Sequence, residues 1–341
     1  MLKLVLTRTA ASLVAIFGAS ILAFVLLRVA PADPARLLAG PFATEEVVEA
    51  QRVALGLKDS LVSQYFRYIG DFFQGDWGFS FSVGRPVIDQ IGSRLPASIE
   101  LGLYAFIFAL VGAVICALLA TYRRRRAVDH TINGFALFGL GTPPFWLALI
   151  VLLVFFGILD ILPGPEGRLS PRQEAPPEVT RMYTIDALLA GQLGTFFDAG
   201  KHLLLPALVL GFAPWAFFFR LLRASLLEVS GEQYLATARS KGIRRWTAFR
   251  RHALPNAFLP TLTAAGLIFA ALLAGSVLVE SVYQWPGLGA LVRDGVIEQD
   301  YAVVQAFILI GAFAYVVVNL VVDILYGVID PRTRTGSAVT K

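Results

Sequence analysis

The chain has 341 residues, of which 57% are hydrophobic and only 16% charged, with a mean hydropathy of +0.69; an ordinary water-soluble domain is excluded. A net charge of +5 and a pI near 9.4 would suit a nucleic-acid binder, but the cations are distributed by side of a membrane rather than clustered as a footprint. The single cysteine, Cys116, lies in an apolar run, so no intrachain disulfide or cysteine metal site can be built, and it reads as a small buried hydrophobe.

Six stretches approach or exceed the ~20 apolar residues that cross a bilayer core. They are expected near Thr9–Ala30, Ala97–Thr121, His130–Leu159, Leu203–Leu222, Phe258–Val282 and Ala302–Val328. With both termini inside, the inner side carries 17 Lys and Arg against 5 acids, net +12. The outer side carries 12 against 19, net −7. That bias fixes the orientation.

In chain order, a short cationic lead, Met1–Arg8, precedes the first span. Its apolar run is longer than a signal peptide's and Pro31 occupies the place of a cleavage site, so it reads as a retained helix. Pro31 and Pro34 then stiffen the exit into a first external loop, about 31–96. Within it, Thr44 can cap a helix with Glu45 and Glu46 in its first turn. A second helix puts Leu61, Val62, Tyr65, Phe66, Ile69, Phe72 and Phe73 on one face, for packing on the spans or lying on the membrane. Packing is the favoured expectation, because Lys58 and Arg67 are the only cations there to meet lipid phosphates.

Arg123–Arg126 form a short inner loop that anchors topology. In the third span, Gly141-Thr142-Pro143-Pro144 interrupts the apolar run. Two missing backbone donors require a bend or break, which is either a plain kink or part of a pathway. A second external segment, 160–201, is a proline-rich loop followed by an amphipathic stretch at Thr184–Leu193. His202 and His130 sit at opposite span edges and His252 lies inside, so no histidine triad can form.

The most informative stretch is the basic island at 225–256, between the fourth and fifth spans. Glu232–Lys241 reads as a helix with an acid in its first turn and cations in its last. Gly242 stops it, and Gly231 and Pro255 bracket the whole. A loop this long and helical is suited to being gripped by a cytosolic partner; the bland alternative is a basic loop touching anionic lipid. Beyond the fifth span, Trp285-Pro286-Gly287 makes a stiff turn that serves as an outer gate, an aromatic interface anchor, or both.

The spans hold almost no ionisable groups: Glu100 and Glu280 lie near outer ends, and Asp323 near the inner end. An ion-coupled carrier needs midplane acids or histidines, and a self-powered pump needs a phosphate-binding loop; neither motif occurs. No hydrolase or protease motif supports an intramembrane enzyme. A transporter built this way borrows its energy. The rivals are a passive channel, an ion-coupled carrier or a membrane scaffold.

Ala236-Thr237-Ala238, Gly242 and, after nine residues, His252-Ala253-Leu254-Pro255 resemble the cytoplasmic loop of ABC importer permeases, E-A-A-x3-G-x9-I-x-L-P. Ala236 stands at the acid position and His252 at the isoleucine. The version in Gln233–Gly242 is similar to that of the dipeptide, oligopeptide and nickel branch. So are Leu27–Pro34, Gly75–Ser80, Gly84–Val87, His202–Leu208, Val279–Gly289, Asn319–Asp323 and Asp330–Arg332, which together span almost the whole chain.

The resemblance implies an all-α integral membrane protein, a single domain over 1–341 with six transmembrane helices and the type I ABC importer permease fold. Its implied site is an ATPase-coupling loop containing Glu232, Tyr234, Ala236, Ala238, Lys241, Gly242, Leu254 and Pro255. Candidate pathway and outer-gate residues are Pro143, Pro144, Trp285, Pro286 and Gly287. The implied partners are a paralogous permease in a heterodimer, two ABC ATPase subunits that use ATP and Mg, an extracytoplasmic solute-binding protein and the lipid membrane, with no nucleic acid. The chain itself would bind no cofactor and no metal, and would sit in a bacterial inner membrane. Peptides are the expected cargo, with nickel, glutathione or another small solute as the alternative.

Overall fold

The computed structural model describes residues 13–25, 34–40, 42–80, 82–122, 126–273 and 275–329. The cationic lead, most of Leu27–Pro34, three of the four arginines in Arg123–Arg126 and the Asp330–Arg332 ending lie outside the described residues. In order come α1 (Leu13–Val25), α2 (Pro34–Ala39), α3 (Glu45–Ala54), α4 (Leu61–Phe73) and a small hairpin, β1 (Phe79–Ser80) with β2 (Arg85–Pro86). Then follow α5 (Val87–Tyr122), α6 (Arg126–Gly141) and α7 (Pro144–Leu152), which runs on through a π turn at Leu153–Ile158. The rest is α8 (Tyr183–Leu189), α9 (Leu193–Ser230), α10 (Gln233–Ser240), α11 (Arg245–Ala248), a π turn at Phe249–Ala253, α12 (Leu254–Leu273), α13 (Val277–Val282), α14 (Leu288–Ile297) and α15 (Tyr301–Ile329).

The molecule is organised around α5 and α9. Ala97, Leu101, Ala105, Ala109, Ala113 and Ala117 recur every fourth residue of α5 and are all buried, a small-residue stripe that lets helices approach closely. On α9, a Cβ at Gly211 would lie 2.5 Å from the Ala105 carbonyl oxygen, so only glycine permits the crossing. Trp215, Phe218, Phe219 and Leu222 fill the space below it. The helices α6, α7, α8 and α12 pack around α9, and α15 lies against α12.

Among the described residues, four helices are long and apolar enough to cross a membrane: Val87–Tyr122, Leu193–Ser230, Trp246–Leu273 and Tyr301–Val321. A fifth forms if α6 and α7 count together, although they meet at a 112° bend. The expected break at Pro143-Pro144 is therefore present, with Pro144 as the first residue of the new helix, where its missing donor costs nothing. Only 13 residues of the expected first span are described, in α1.

Three expected boundaries need correction. The fifth span does not run from Phe258 to Val282: its helix starts at Trp246 and ends at Leu273, and Gly275 (φ +82°) separates α13. Pro255 does not end the basic loop but sits within that helix, just after the π turn, which shifts the register where the proline lacks a donor. The fourth span extends to Leu193–Ser230, so α9 absorbs the end of the stretch expected at Thr184–Leu193. At about 1.5 Å per residue, α5 and α9 each exceed 50 Å and rise out of a core about 30 Å thick.

In the external loops, Thr44 occupies the cap position of α3 without a side-chain hydrogen bond. The expected single face of α4 is divided: Tyr65 and Phe72 pack inward, whereas Leu61, Val62, Phe66 and Phe73 are exposed. The second external segment is pinned by Asp186 on α8. Its buried carboxylate accepts from the Val179, Thr180 and Arg181 amides (3.2, 2.8 and 2.8 Å) and the Thr180 hydroxyl (2.7 Å). Burial opposes its charge, and the Thr180, Val179 and Arg181 bonds outweigh that, holding the carboxyl below its usual range. The charge therefore stabilises the loop above the ordinary carboxylate pKa, and this contribution is lost as pH falls through the depressed value. In Asp186→Asn, amide exchange across 178–190 at pH 7 should rise by about tenfold or more, the order expected for weakened bonds to a buried charge. The mutant should also show little of the wild type's acid-dependent loosening.

Candidate functional site

Next to the C-terminal end of α9, α10 packs on α11 and the π turn at Phe249–Ala253 that leads into α12. Leu235 and Ala238 point inward and are buried with Leu226, Ala248, Phe249 and Ala253. The other face is bare: Glu232, Ala236, Thr237 and Lys241 are exposed, and Tyr234 is 40% exposed. Gly242 has φ +80° and no atom within 4 Å of where a Cβ would stand. What requires glycine is thus backbone geometry, not space. The Ile243 amide reaches back to the Ala238 carbonyl (3.2 Å), the closure of a left-handed helix stop, and both side chains join the same apolar cluster.

Leu254 is half-buried beneath this stop and Pro255 is exposed. Of the eight expected coupling residues, Glu232, Tyr234, Ala236, Lys241, Gly242 and Pro255 are exposed, while Ala238 is buried and Leu254 half-buried; Lys241, Arg244, Arg250 and Arg251 add exposed cations around them. His252 is half-buried, and its carbonyl accepts from the Asn256 amide (3.0 Å).

Several supports of this surface escaped the sequence reading. Asn256 also donates to the Tyr234 hydroxyl (3.1 Å), tying α10 to α12. Tyr122, at the end of α5, meets Trp246 and Phe249 at centroid distances of 4.9 and 5.5 Å. Arg223 on α9 grips Asp129 on α6 with two bonds of 2.6 Å. The available signal was aromatic residues in a polar loop and an isolated acid beside a basic anchor.

Toward the N-terminal end of α5, Trp285 is 2% exposed, so it is a packed residue rather than an exposed interface anchor. Its indole donates to the Ala97 carbonyl (2.9 Å). Ser98 donates to Glu280 (3.0 Å) and accepts from the Leu288 amide (2.7 Å), while the Ala290 amide caps the other Glu280 oxygen (3.0 Å). A Cβ on Gly287 would fall on Ser98 and the Glu280 carboxylate. Glycine there admits the close approach that cages the acid.

A second buried acid, Glu100, receives Arg168 (2.7 Å) and both the amide and hydroxyl of Thr184 (2.7 and 2.6 Å). The Arg168 guanidinium also lies 3.6 Å from the Tyr183 ring centre and 5.8 Å from that of Trp285. Arg181 takes the Gly92 carbonyl (3.3 Å), the one that Pro96 leaves without its helical donor. Both acids were legible as charges at span ends; their burial was not.

Pro143 and Pro144 stand exposed at the bend, and Pro286 is half-buried beside Trp285. The two groups are joined indirectly: the Tyr283 hydroxyl donates to the Ala148 carbonyl (3.2 Å), bridging α13 to α7.

The Glu100–Arg168 pair has side-chain exposures of 2% and 7%. Removing one partner strands a buried charge, a loss of about 3–5 kcal/mol, whereas replacing both by apolar groups of like volume is close to neutral. Glu100→Ala should therefore unfold well below wild type in detergent thermal melts, and Glu100→Leu with Arg168→Met should recover part of the difference, the remainder reflecting the Thr184 donors left without an acceptor. Unchanged melting of the single variant would show that the pair does not hold the loop.

The family described as "Binding-protein-dependent transport system inner membrane component" matches residues 72–335. Its N-terminal membrane component counterpart matches residues 1–102. Among curated relatives, a protein of Escherichia coli described as a probable D,D-dipeptide transport system permease protein is 43% identical over 94% of each chain. The E. coli dipeptide transport system permease protein is 38% identical over 98% of this chain and 99% of its own. The di/tripeptide permease protein of Pseudomonas aeruginosa is also 38% identical, over 98% and 99%.

Proposed function

Because the chain belongs to the family of inner membrane components of binding-protein-dependent transport systems, we propose that it forms half of the pathway of an ATP-driven importer of short peptides. The family and these relatives are transport permease subunits, not enzymes. Six membrane helices, with α1 as the first and both termini inside, complete the proposed topology, and the cation bias supports that orientation. A similar permease subunit pairs with this one, two ATPase subunits bind and hydrolyse ATP with Mg below, and a binding protein delivers peptide from outside. The chain itself holds no cofactor.

The observation that carries this reading is α10, packed through Leu235 and Ala238 on the π turn that leads into α12, tied to α12 by Tyr234 and Asn256, and bare on its other face. A partner gripping the bare face moves α9, α12 and the end of α5 together, because Leu235, Phe249 and Tyr122 leave no slack between them. The same α5 carries Ala97, Ser98 and Glu100, which hold the Trp285 turn and the second external loop. In this mechanism, closure of the ATPases on ATP rocks α5 and α9, the outer cluster opens, and the peptide enters. Hydrolysis resets the chain and releases cargo inward. Pro143 and Pro144 provide the bend through which α7 follows α13.

Peptide cargo is supported by the relatives' specificities as named. Uptake of a labelled dipeptide by cells with and without this gene tests it, competed by longer peptides, glutathione and nickel. Loss of an uptake that only short peptides compete is the expected result; unchanged uptake would contradict peptide import.

At Gly242 a β-branched residue forced to positive φ costs about 1–3 kcal/mol, and asparagine much less. Gly242→Val should insert normally yet lose most dipeptide uptake, and Gly242→Asn should retain most of it. Normal uptake by the valine variant would contradict the coupling role.

A further inference from the structure

In water an amphipathic helix buries its apolar stripe and shows its polar one. The helix α4 departs from this: Tyr65 and Phe72 pack inward and Arg67 is half exposed, but its barest stripe is apolar. Its polar residues Gln64, Arg67, Tyr68 and Asp71, spaced i, i+3, i+4, i+7, line a cavity of about 280 Å³ closed on the far side by Ala302 and Gln305 of α15. Gln64 is only 6% exposed, and its amide donates to the Leu57 and Asp59 carbonyls (3.0 and 2.7 Å). Half a turn around the helix, Val62, Phe66 and Phe73 are 66%, 67% and 81% exposed.

Between the two stripes, Tyr65 fixes α4 to α1. Its ring meets Phe17 and Phe24 edge-on at 6.0 and 5.5 Å, and its hydroxyl shares a 2.7 Å hydrogen bond with Ser20. The helix α1 shows an apolar face of its own, with Val14, Phe17 and Leu22 at 72%, 55% and 59% exposure. The helix α4, with its bare stripe, is thus tied to a helix that shows a bare apolar face of its own and that is proposed above as the first membrane helix. The cations that border it are neutralised, Arg67 by Asp59 and Lys58 by Glu49, so its attraction is to hydrocarbon rather than to an acidic protein surface.

We propose that α4 is embedded in the outer leaflet, with Val62, Phe66 and Phe73 among lipid acyl chains and the polar stripe turned inward to the protein. It is a fixed interfacial helix of the first external loop, held at that depth through Tyr65 and α1. The proposal rests on α1 being a membrane helix, and the experiment below separates the two.

Spin labels are placed singly at Val62→Cys, Phe66→Cys and Phe73→Cys, with Leu22→Cys on α1 and Gln74→Cys at the exposed helix end as references, in a Cys116→Ser background. The whole transporter is reconstituted in phospholipid nanodiscs, and collision rates with oxygen, which enters lipid, are compared with those of a water-soluble nickel chelate. The three α4 labels should favour oxygen over the chelate several-fold more than Gln74 does, with the ratio peaking at 62, 66 and 73. A water-like ratio on α4 beside a lipid-like ratio at Leu22 would overturn the proposal and leave α1 in place. Exclusion of both probes on α4 would overturn it in favour of a protein partner covering the stripe. A water-like ratio at Leu22 as well would overturn the reading of α1 on which the proposal rests.

Discussion

Everything in this structure hangs on how closely α5 can approach α9. In a bilayer, burial of apolar side chains gives little drive for association, since lipid is as apolar as leucine, so helix contact depends on fit. The alanine stripe of α5 and Gly211 of α9 remove the side-chain bulk that would hold the backbones apart. The result is one stiff two-helix unit longer than the bilayer is thick. A unit of that length has working ends on both sides, and both candidate functional surfaces are mounted on it.

The two ends obey the same rule with different chemistry. Buried polar groups need partners inside the protein, because hydrocarbon offers none. At the outer end this gives closed cages, in which Glu280 is enclosed by Ser98 and backbone amides and Glu100 by Arg168 and Thr184. Such cages hold loops in one arrangement. At the inner end the bonds are fewer and the contact is mostly aromatic and aliphatic, with Tyr122, Phe249 and Leu235 at its centre. Lys241, Arg244, Arg250 and Arg251 stand exposed around α10, whereas Glu100, Arg168 and Glu280 are buried among their own partners.

Sequence patterning was most reliable where chain chemistry forces geometry. Gly242 had to end a helix, and paired prolines had to break one; both do so at the expected residues. The extent of helices was harder to read. The segment Val87–Pro96 is too polar for a span, yet it continues α5 as helix, with Val87 and Ile91 buried against Leu288, Leu291 and Val303. Residues 277–282 are apolar enough to look like the end of a span, but they form a short separate helix beyond Gly275 that buries Val279 and Glu280, and hydropathy does not distinguish burial in protein from burial in lipid. Pairings such as Tyr234–Asn256, Arg223–Asp129 and Glu100–Arg168 join residues 22 to 94 positions apart, and nothing local in the sequence marks them.

The central claim is that the bare face of α10 is a seat for an ATPase rather than for lipid headgroups. A photo-crosslinking amino acid at Thr237, which is exposed on that face, tests it in native membranes. The account predicts an adduct with an ATPase subunit at Thr237, with a yield that changes when ATP is bound. Adducts with lipid alone, unaffected by nucleotide, would contradict it.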